Sequence, residues 1–246
     1  MKNTRLIFAL VSVIFLASCG SNDPILPGER HPIFAGDAVV LNQAAPVGEL
    51  NWAPVYNPTR TFIQDENNVI WETTNNEQTR IFSGIRTTTR IGGTRDVVQD
   101  AHNIYAGLST GEIVAINKNT RQVVWTADIF RARAVTGGAP ILDIVAPIKI
   151  GGTCLYAGGI GNAFCRIRRS DGHRFFCVYI GVGVPFIVTS TTAFVVATDG
   201  HLYAIDRING NIFWRTSVRR ETTPTIDGNI ITVGRERFDA VTGNRI

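Results

Sequence analysis

From residue 103 to the carboxyl end the chain is a series of short apolar runs divided by glycine, asparagine and aspartate. Examples are Asn103-Ile-Tyr-Ala-Gly107, Thr153-Cys-Leu-Tyr-Ala157, Ala193-Phe-Val-Val-Ala197 and Asn229-Ile-Ile-Thr-Val-Gly234. Runs this short, rich in β-branched and aromatic residues and closed by turn formers, predict strands rather than helices. The runs also repeat. Gly111-Glu-Ile-Val-Ala-Ile-Asn117 leads to Trp125, and Gly200-His-Leu-Tyr-Ala-Ile-Asp206 leads through Gly210 to Trp214. From 111 to 125 and from 200 to 214 the interval is the same fourteen residues. A third copy runs from Asn162 through Gly172 to Phe176, with phenylalanine in place of tryptophan. A fourth, Arg237 to Ile246, holds Asp239 and Gly243 and stops before the aromatic position.

Small sheets that recur in this way predict the blades of a β-propeller, because one blade cannot bury both of its faces and must stack against neighbours. The recurring aromatic residue is expected to fill the space between blades. Trp71, Trp125, Phe176 and Trp214 taken as landmarks give four blades, or five with irregular pieces counted. Val69-Ile70-Trp71 also matches Ile212-Phe213-Trp214. That match predicts that residues 67–71 pair with residues 229–246 and complete the last blade, which would remove two exposed sheet edges. The rival expectation is a reduced, open propeller.

Before the repeats come two segments of other character. Lys2 and Arg5 precede the apolar run Leu6 to Ala17, which is too short to cross a bilayer core of roughly 30 Å as a helix but suits a signal peptide. It ends in Leu16-Ala17-Ser18-Cys19, which resembles the bacterial lipobox. That resemblance implies cleavage before Cys19 and transfer of a diacylglycerol to its thiol. Several acyl chains at about 0.8 kcal/mol per buried methylene anchor a protein firmly. Gly20, rather than aspartate, follows the cysteine and implies the outer membrane as destination. Residues 19–60 are rich in proline, glycine, asparagine and alanine and read as an extended arm, with Ile33-Phe34 and Val39-Val40-Leu41 as candidate edge strands. The expected organisation is a signal peptide at 1–18, an arm at 19–60 and a propeller at 61–246.

Charge changes little in this picture. The formal net charge of +4 falls by the two charges of Lys2 and Arg5 once the leader is removed, which gives no ground for nucleic-acid binding. Arg131/Arg133, Arg166/Arg168/Arg169 and Arg219/Arg220 read as solvated faces of strands, with a docking patch for an acidic protein surface as the alternative. Beside Cys19, Cys154, Cys165 and Cys177 remain: one disulfide at most, or buried small residues, with no zinc spacing among them.

The pattern from Gly200 to Trp214 resembles the repeat of quinoprotein (PQQ-type) β-propellers. Joined to the lipobox and the proline-rich arm, it most resembles the BamB-like family of outer-membrane assembly lipoproteins. The stretch from Pro24 to Trp52 is similar to the alphaproteobacterial branch of that family. Its members have eight blades, more than this chain can supply. The resemblance implies a non-catalytic scaffold that docks on the central assembly protein BamA and its complex, and helps present unfolded outer-membrane proteins. The alternatives are a periplasmic PQQ-binding redox enzyme and a propeller lipoprotein with another protein partner. Quinoprotein alcohol dehydrogenases carry a vicinal cysteine pair, which this sequence lacks. Asp206 and Asp239 stand at the repeat's own aspartate position and read as turn residues that bond backbone amides. His31, His102, His173 and His201 are scattered, and neither a Gly-x-Ser-x-Gly turn nor a phosphate loop occurs. No catalytic residue, metal ligand or cofactor is expected.

Overall fold

The computed structural model describes residues 60–88, 91, 95–129, 141–161 and 163–246. The leader, Cys19, most of the arm with its candidate edge strands, His31, Arg131/Arg133 and Asn162 lie outside the described residues.

Among the described residues, nineteen strands form five antiparallel sheets. The first holds β1 (Arg60–Gln64), β2 (Val69–Thr74), β3 (Glu77–Ser83) and β4 (Arg95–Asp96), in the order β3-β2-β1-β4. The second runs in chain order through β5 (Val98–Gln99), β6 (Asn103–Gly107), β7 (Glu112–Asn117) and β8 (Val123–Asp128). The third has β9 (Lys149–Gly151), β10 (Cys154–Gly159), β11 (Ala163–Arg168) and β12 (Arg174–Val178). The fourth has β13 (Ile187–Val188), β14 (Thr192–Ala197), β15 (His201–Asp206) and β16 (Ile212–Ser217). The fifth consists of β17 (Pro224–Asp227), β18 (Ile230–Val233) and β19 (Glu236–Asp239), with a single bridge from Phe238 to Arg245 beyond it.

Four apolar clusters lie in the four joints between consecutive sheets. In β14, Ala193, Val195 and Ala197 enter the joint with the third sheet, while Phe194 and Val196 enter the joint with the fifth. In β7, Val114 and Ile116 face the first sheet, while Ile113 and Ala115 face the third. A strand buried on both faces needs apolar residues at successive positions, which is why the inner strands read as unbroken runs. The outermost strands are buried less, and β16 leaves Ile212 and Phe213 exposed.

A β-bulge recurs where the outermost strand meets its neighbour. Ala115 pairs with Trp125, Arg166 with Phe176 and Ala204 with Trp214, and the register then slips by one residue. Val124, Phe175 and Phe213 are the residues passed over, and all three are exposed. Two residues thus oppose one, so adjacent apolar residues part company: one turns outward and the aromatic one turns into the joint.

The first sheet has the same bulge, with Ile70 opposite Phe82. Phe82, not Trp71, therefore holds the aromatic position of that sheet. Trp71 lies one strand further in, its ring N–H donating to Asp65 Oδ2 at 3.1 Å. The expectation that Val69-Ile70-Trp71 completes the last blade is also overturned. β2 is paired on one edge with β1 and on the other with β3, while β18 pairs with β17 and β19. The reason is local: Asn75 and Asn76, with φ of +50° and +68°, form a two-residue hairpin that returns the chain at once. A contact across the whole chain competes poorly with that closure. The described residues fold as an open β-propeller of five blades.

Candidate functional site

The repeat residues assemble at the joints. Three of the outer turns place a side-chain oxygen under the next backbone amides. Asp206 Oδ1 accepts from the N–H of Ile208 at 2.7 Å, and Asn117 Oδ1 from those of Asn119 and Thr120 at 2.9 and 3.0 Å. Asp239 Oδ1 accepts from Val241 N, Thr242 N and Thr242 Oγ1, at 3.0, 2.7 and 2.9 Å. The amide and hydroxyl of Thr242 hold the Asp239 carboxyl below its ordinary range. In the third sheet Arg168 takes this position, and the neighbouring Asp171 binds its guanidinium at 2.7 Å. These carboxylates are occupied in shaping turns.

Four residues after the capping position come Arg121, Gly172, Gly210 and Gly243, all left-handed with φ of +55°, +75°, +80° and +73°. The glycines cannot be replaced by larger residues, because an aromatic ring of the preceding sheet lies where a Cβ would stand. Trp125 covers Gly172, Phe176 covers Gly210 and Trp214 covers Gly243, at 2.7, 2.5 and 2.6 Å from that position. The indole N–H groups finish the docking: Trp125 donates to the Arg169 carbonyl at 3.0 Å and Trp214 to the Ala240 carbonyl at 3.2 Å. Gly111 and Gly200 do a different job. They sit with φ of +85° and +77° in the turns before β7 and β15, and their carbonyls accept from Ile129 N and Val218 N.

The first joint departs from this scheme. Arg121 stands where the others have glycine, and its guanidinium meets Glu72 Oε2 at 2.9 Å, both side chains being 2 % exposed. Lys118 Nζ donates to the Asp100 carbonyl. Asn68 Nδ2 donates to Ser109 Oγ at 2.7 Å, and Ser109 N returns a bond to Asn68 Oδ1 at 2.9 Å. In the second joint Arg169 Nε lies 3.1 Å from Asp100 Oδ2, which also accepts the Tyr105 hydroxyl at 2.7 Å. Burial, followed by the charge of Asp100, pushes the Tyr105 phenol far above its ordinary range.

Cys165 and Cys177 form a disulfide between β11 and β12, and Cys154 is free and buried on the opposite face of the third sheet. The bridged cysteines stand twelve residues apart in the sequence and are not a vicinal pair. Among the described residues no group of three or more His, Cys, Asp or Glu side chains is placed to hold a metal ion. His102 lies in the turn before β6, His173 just before β12, and His201 opens β15 with its ring against Asp199. Of the arginines singled out in the sequence, Arg169 is committed to the second joint. Arg166 and Arg168 stack on the exposed Phe175 ring, at 4.7 and 5.2 Å from its centroid. Arg219, at 81 % exposure, lies on the rim beside Glu236.

Five small sheets, the last three docked through left-handed glycines under aromatic rings of the preceding sheet, define a β-propeller of the quinoprotein repeat class. Within that class, the family model described as outer membrane protein assembly factor BamB matches residues 34–216. The chain belongs to the BamB family. It is 24 % identical over 122 residues to an outer membrane protein assembly factor BamB of Kangiella koreensis, a match spanning 50 % of this chain and 31 % of that protein. The crystal structure of BamB from Moraxella catarrhalis superposes with a TM-score of 0.63 at 18 % identity, over 76 % of this chain and 60 % of that one. A quinohemoprotein alcohol dehydrogenase from Pseudomonas putida shares the fold, with a TM-score of 0.57 at 11 % identity, over 85 % of this chain and 42 % of that one. The chain thus spans about a third of the curated relative's length.

Proposed function

We propose that this protein is a non-catalytic lipoprotein scaffold of the outer-membrane β-barrel assembly machinery. In this reading it is exported, cut before Cys19 and held by its lipid at the periplasmic face of the outer membrane. The arm at 19–60 links that anchor to the propeller at 61–246, which docks on BamA and its complex and helps present unfolded outer-membrane proteins. The observation that carries the reading is the BamB family match over residues 34–216. The chemistry of the joints supports it: Asp206 and Asp239 cap turns, Arg121 and Arg169 bridge sheets, and two of the cysteines staple adjacent strands. A broad, rigid edge of small sheets suits a docking role, since exposed strand edges receive extended segments.

The test is affinity capture of the full-length protein from gently solubilised membranes. Recovery of BamA supports the proposal, and its reproducible absence refutes it. Replacing Cys19 with alanine separates the two halves of the reading. It is expected to abolish palmitate labelling and release the protein from membranes while leaving BamA binding by the purified body intact.

A further inference from the structure

The fourth joint lacks a contact that the second and third joints possess. By register, Tyr105, Tyr156 and Phe194 hold one position in successive sheets, paired with Ala115, Arg166 and Ala204. A second recurring position is held by Lys118, Arg169, Arg207 and Ala240. Each of these donates its backbone N–H to the turn between the sheet's first two strands, at the carbonyls of His102, Thr153, Thr191 and Asn229. In the third joint Arg207 crosses to the preceding sheet. Its guanidinium lies 5.6 Å from the Tyr156 ring centroid, and its Nε donates to the Tyr156 hydroxyl at 2.8 Å. Its Nη1 reaches the carbonyls of Thr189 and Ser190 at 3.4 and 3.3 Å. Arg166 adds a bond to the Ile208 carbonyl at 2.8 Å.

In the fourth joint the phenol and both guanidinium groups are missing together, the residues being Phe194, Ala204 and Ala240. A cleft of about 480 Å³ opens beside them, walled by Phe194, Phe213, Trp214, Thr191, Asn229 and Ala240. Among the described residues no charged side chain lines it. Two features that accompany Arg207 persist there: aromatic side chains in the wall, of which Phe213 is exposed, and Gly228 at the register position of Ser190.

We propose that this cleft receives an arginine side chain from a partner polypeptide, in the place that Arg207 fills one joint earlier. An aliphatic occupant would cover the turn at Gly228 without offering its backbone a donor, whereas a guanidinium offers five donors and stacks on rings. The occupant is defined by the chain's own repeat, so the inference does not depend on which protein supplies it.

The test titrates the full chain, labelled at indole nitrogen, with N-acetyl-arginine methylamide and with its citrulline and norleucine analogues. The arginine probe is expected to shift the Trp214 indole signal and to bind about tenfold more tightly than the neutral citrulline probe. Ala240→Arg, which supplies a guanidinium from within, is expected to abolish that shift. Phe194→Leu keeps the apolar volume and loses the ring face, and is expected to weaken the arginine probe severalfold. It carries the test if Ala240→Arg fails to fold. Norleucine binding as tight as arginine, or a Trp214 signal unmoved by the arginine probe, overturns the proposal.

Discussion

The first and fourth joints meet one requirement with opposite chemistry. In both, the outer turn ends in a left-handed residue that must meet the preceding sheet. At the fourth joint that residue is Gly243, and the Trp214 ring lies directly over it. At the first it is Arg121, whose Cβ strains the left-handed backbone and whose charge is buried against Glu72. The aromatic solution draws on area and tolerates no Cβ. The ionic solution tolerates the Cβ but depends on both charges being present, since each offsets the desolvation of the other. The fold therefore specifies a backbone conformation at each joint and leaves the means of filling it open.

The ionic joint offers the largest effect. Glu72→Ala is expected to lower stability by about 3–5 kcal/mol, because Arg121 stays buried without that carboxylate. The informative variant is the double one. Glu72→Leu with Arg121→Gly converts the joint to the apolar form and removes the left-handed strain, so chemical denaturation should return most of the loss. If the double variant is as unstable as Glu72→Ala, the two joints are not alternative solutions to one problem.

At the aromatic joint, Gly243→Ala combines a left-handed alanine with a methyl group pressed into the Trp214 ring. A loss of roughly 2–4 kcal/mol is expected, together with a change in Trp214 fluorescence that the first-joint variants do not produce. A smaller effect separates the third joint from the fourth. Tyr156→Phe removes the hydroxyl that accepts from Arg207 and should cost about 1–1.5 kcal/mol. Phe194→Tyr at the same register position should give no matching gain, because Ala240 offers no guanidinium. Equal and opposite changes at the two sites would show that the hydroxyl acts through something other than arginine.

How far these joints were legible in the sequence follows from the range of each interaction. Runs such as Phe194-Val195-Val196 declare themselves because a strand buried on both faces needs apolar residues in succession. The aromatic spacing is similarly local, set by one strand, one turn and a bulge. Trp71 misled because Val-Ile-Trp copies the outer-strand signature, while the deciding feature is the Asn75-Asn76 hairpin that follows. The partnership of Arg121 with Glu72 spans 49 residues and left no local mark. Pairing of Cys165 with Cys177 depends on the register of β11 and β12, which spacing alone does not fix. Ala240 gives no signal at all until it is set beside Lys118, Arg169 and Arg207 at the same turn.

The mildest test uses alkali and asks which joints carry a buried phenol. Tyr105 stands in the second joint with Asp100 and Arg169 facing it, and its folded pKa is raised, first by burial and then by the Asp100 charge. Below the unfolded value of about 10 both states keep the proton, so the contribution is fully present. As pH rises beyond that value the unfolded chain releases the proton and the folded chain does not. The unfolded state then binds fewer protons, so stability falls with pH until the raised folded value is reached. Tyr156 in the third joint is raised in the same direction, mainly by burial, whereas Phe194 in the fourth cannot titrate. Urea denaturation at a series of pH values above 9 should therefore show a shallower alkaline decline for Tyr105→Phe than for the parent chain. Phe194→Leu should leave the slope unchanged while lowering the whole curve. An unchanged slope in Tyr105→Phe would place the alkaline weakness outside the second joint and remove the electrostatic distinction between it and the fourth.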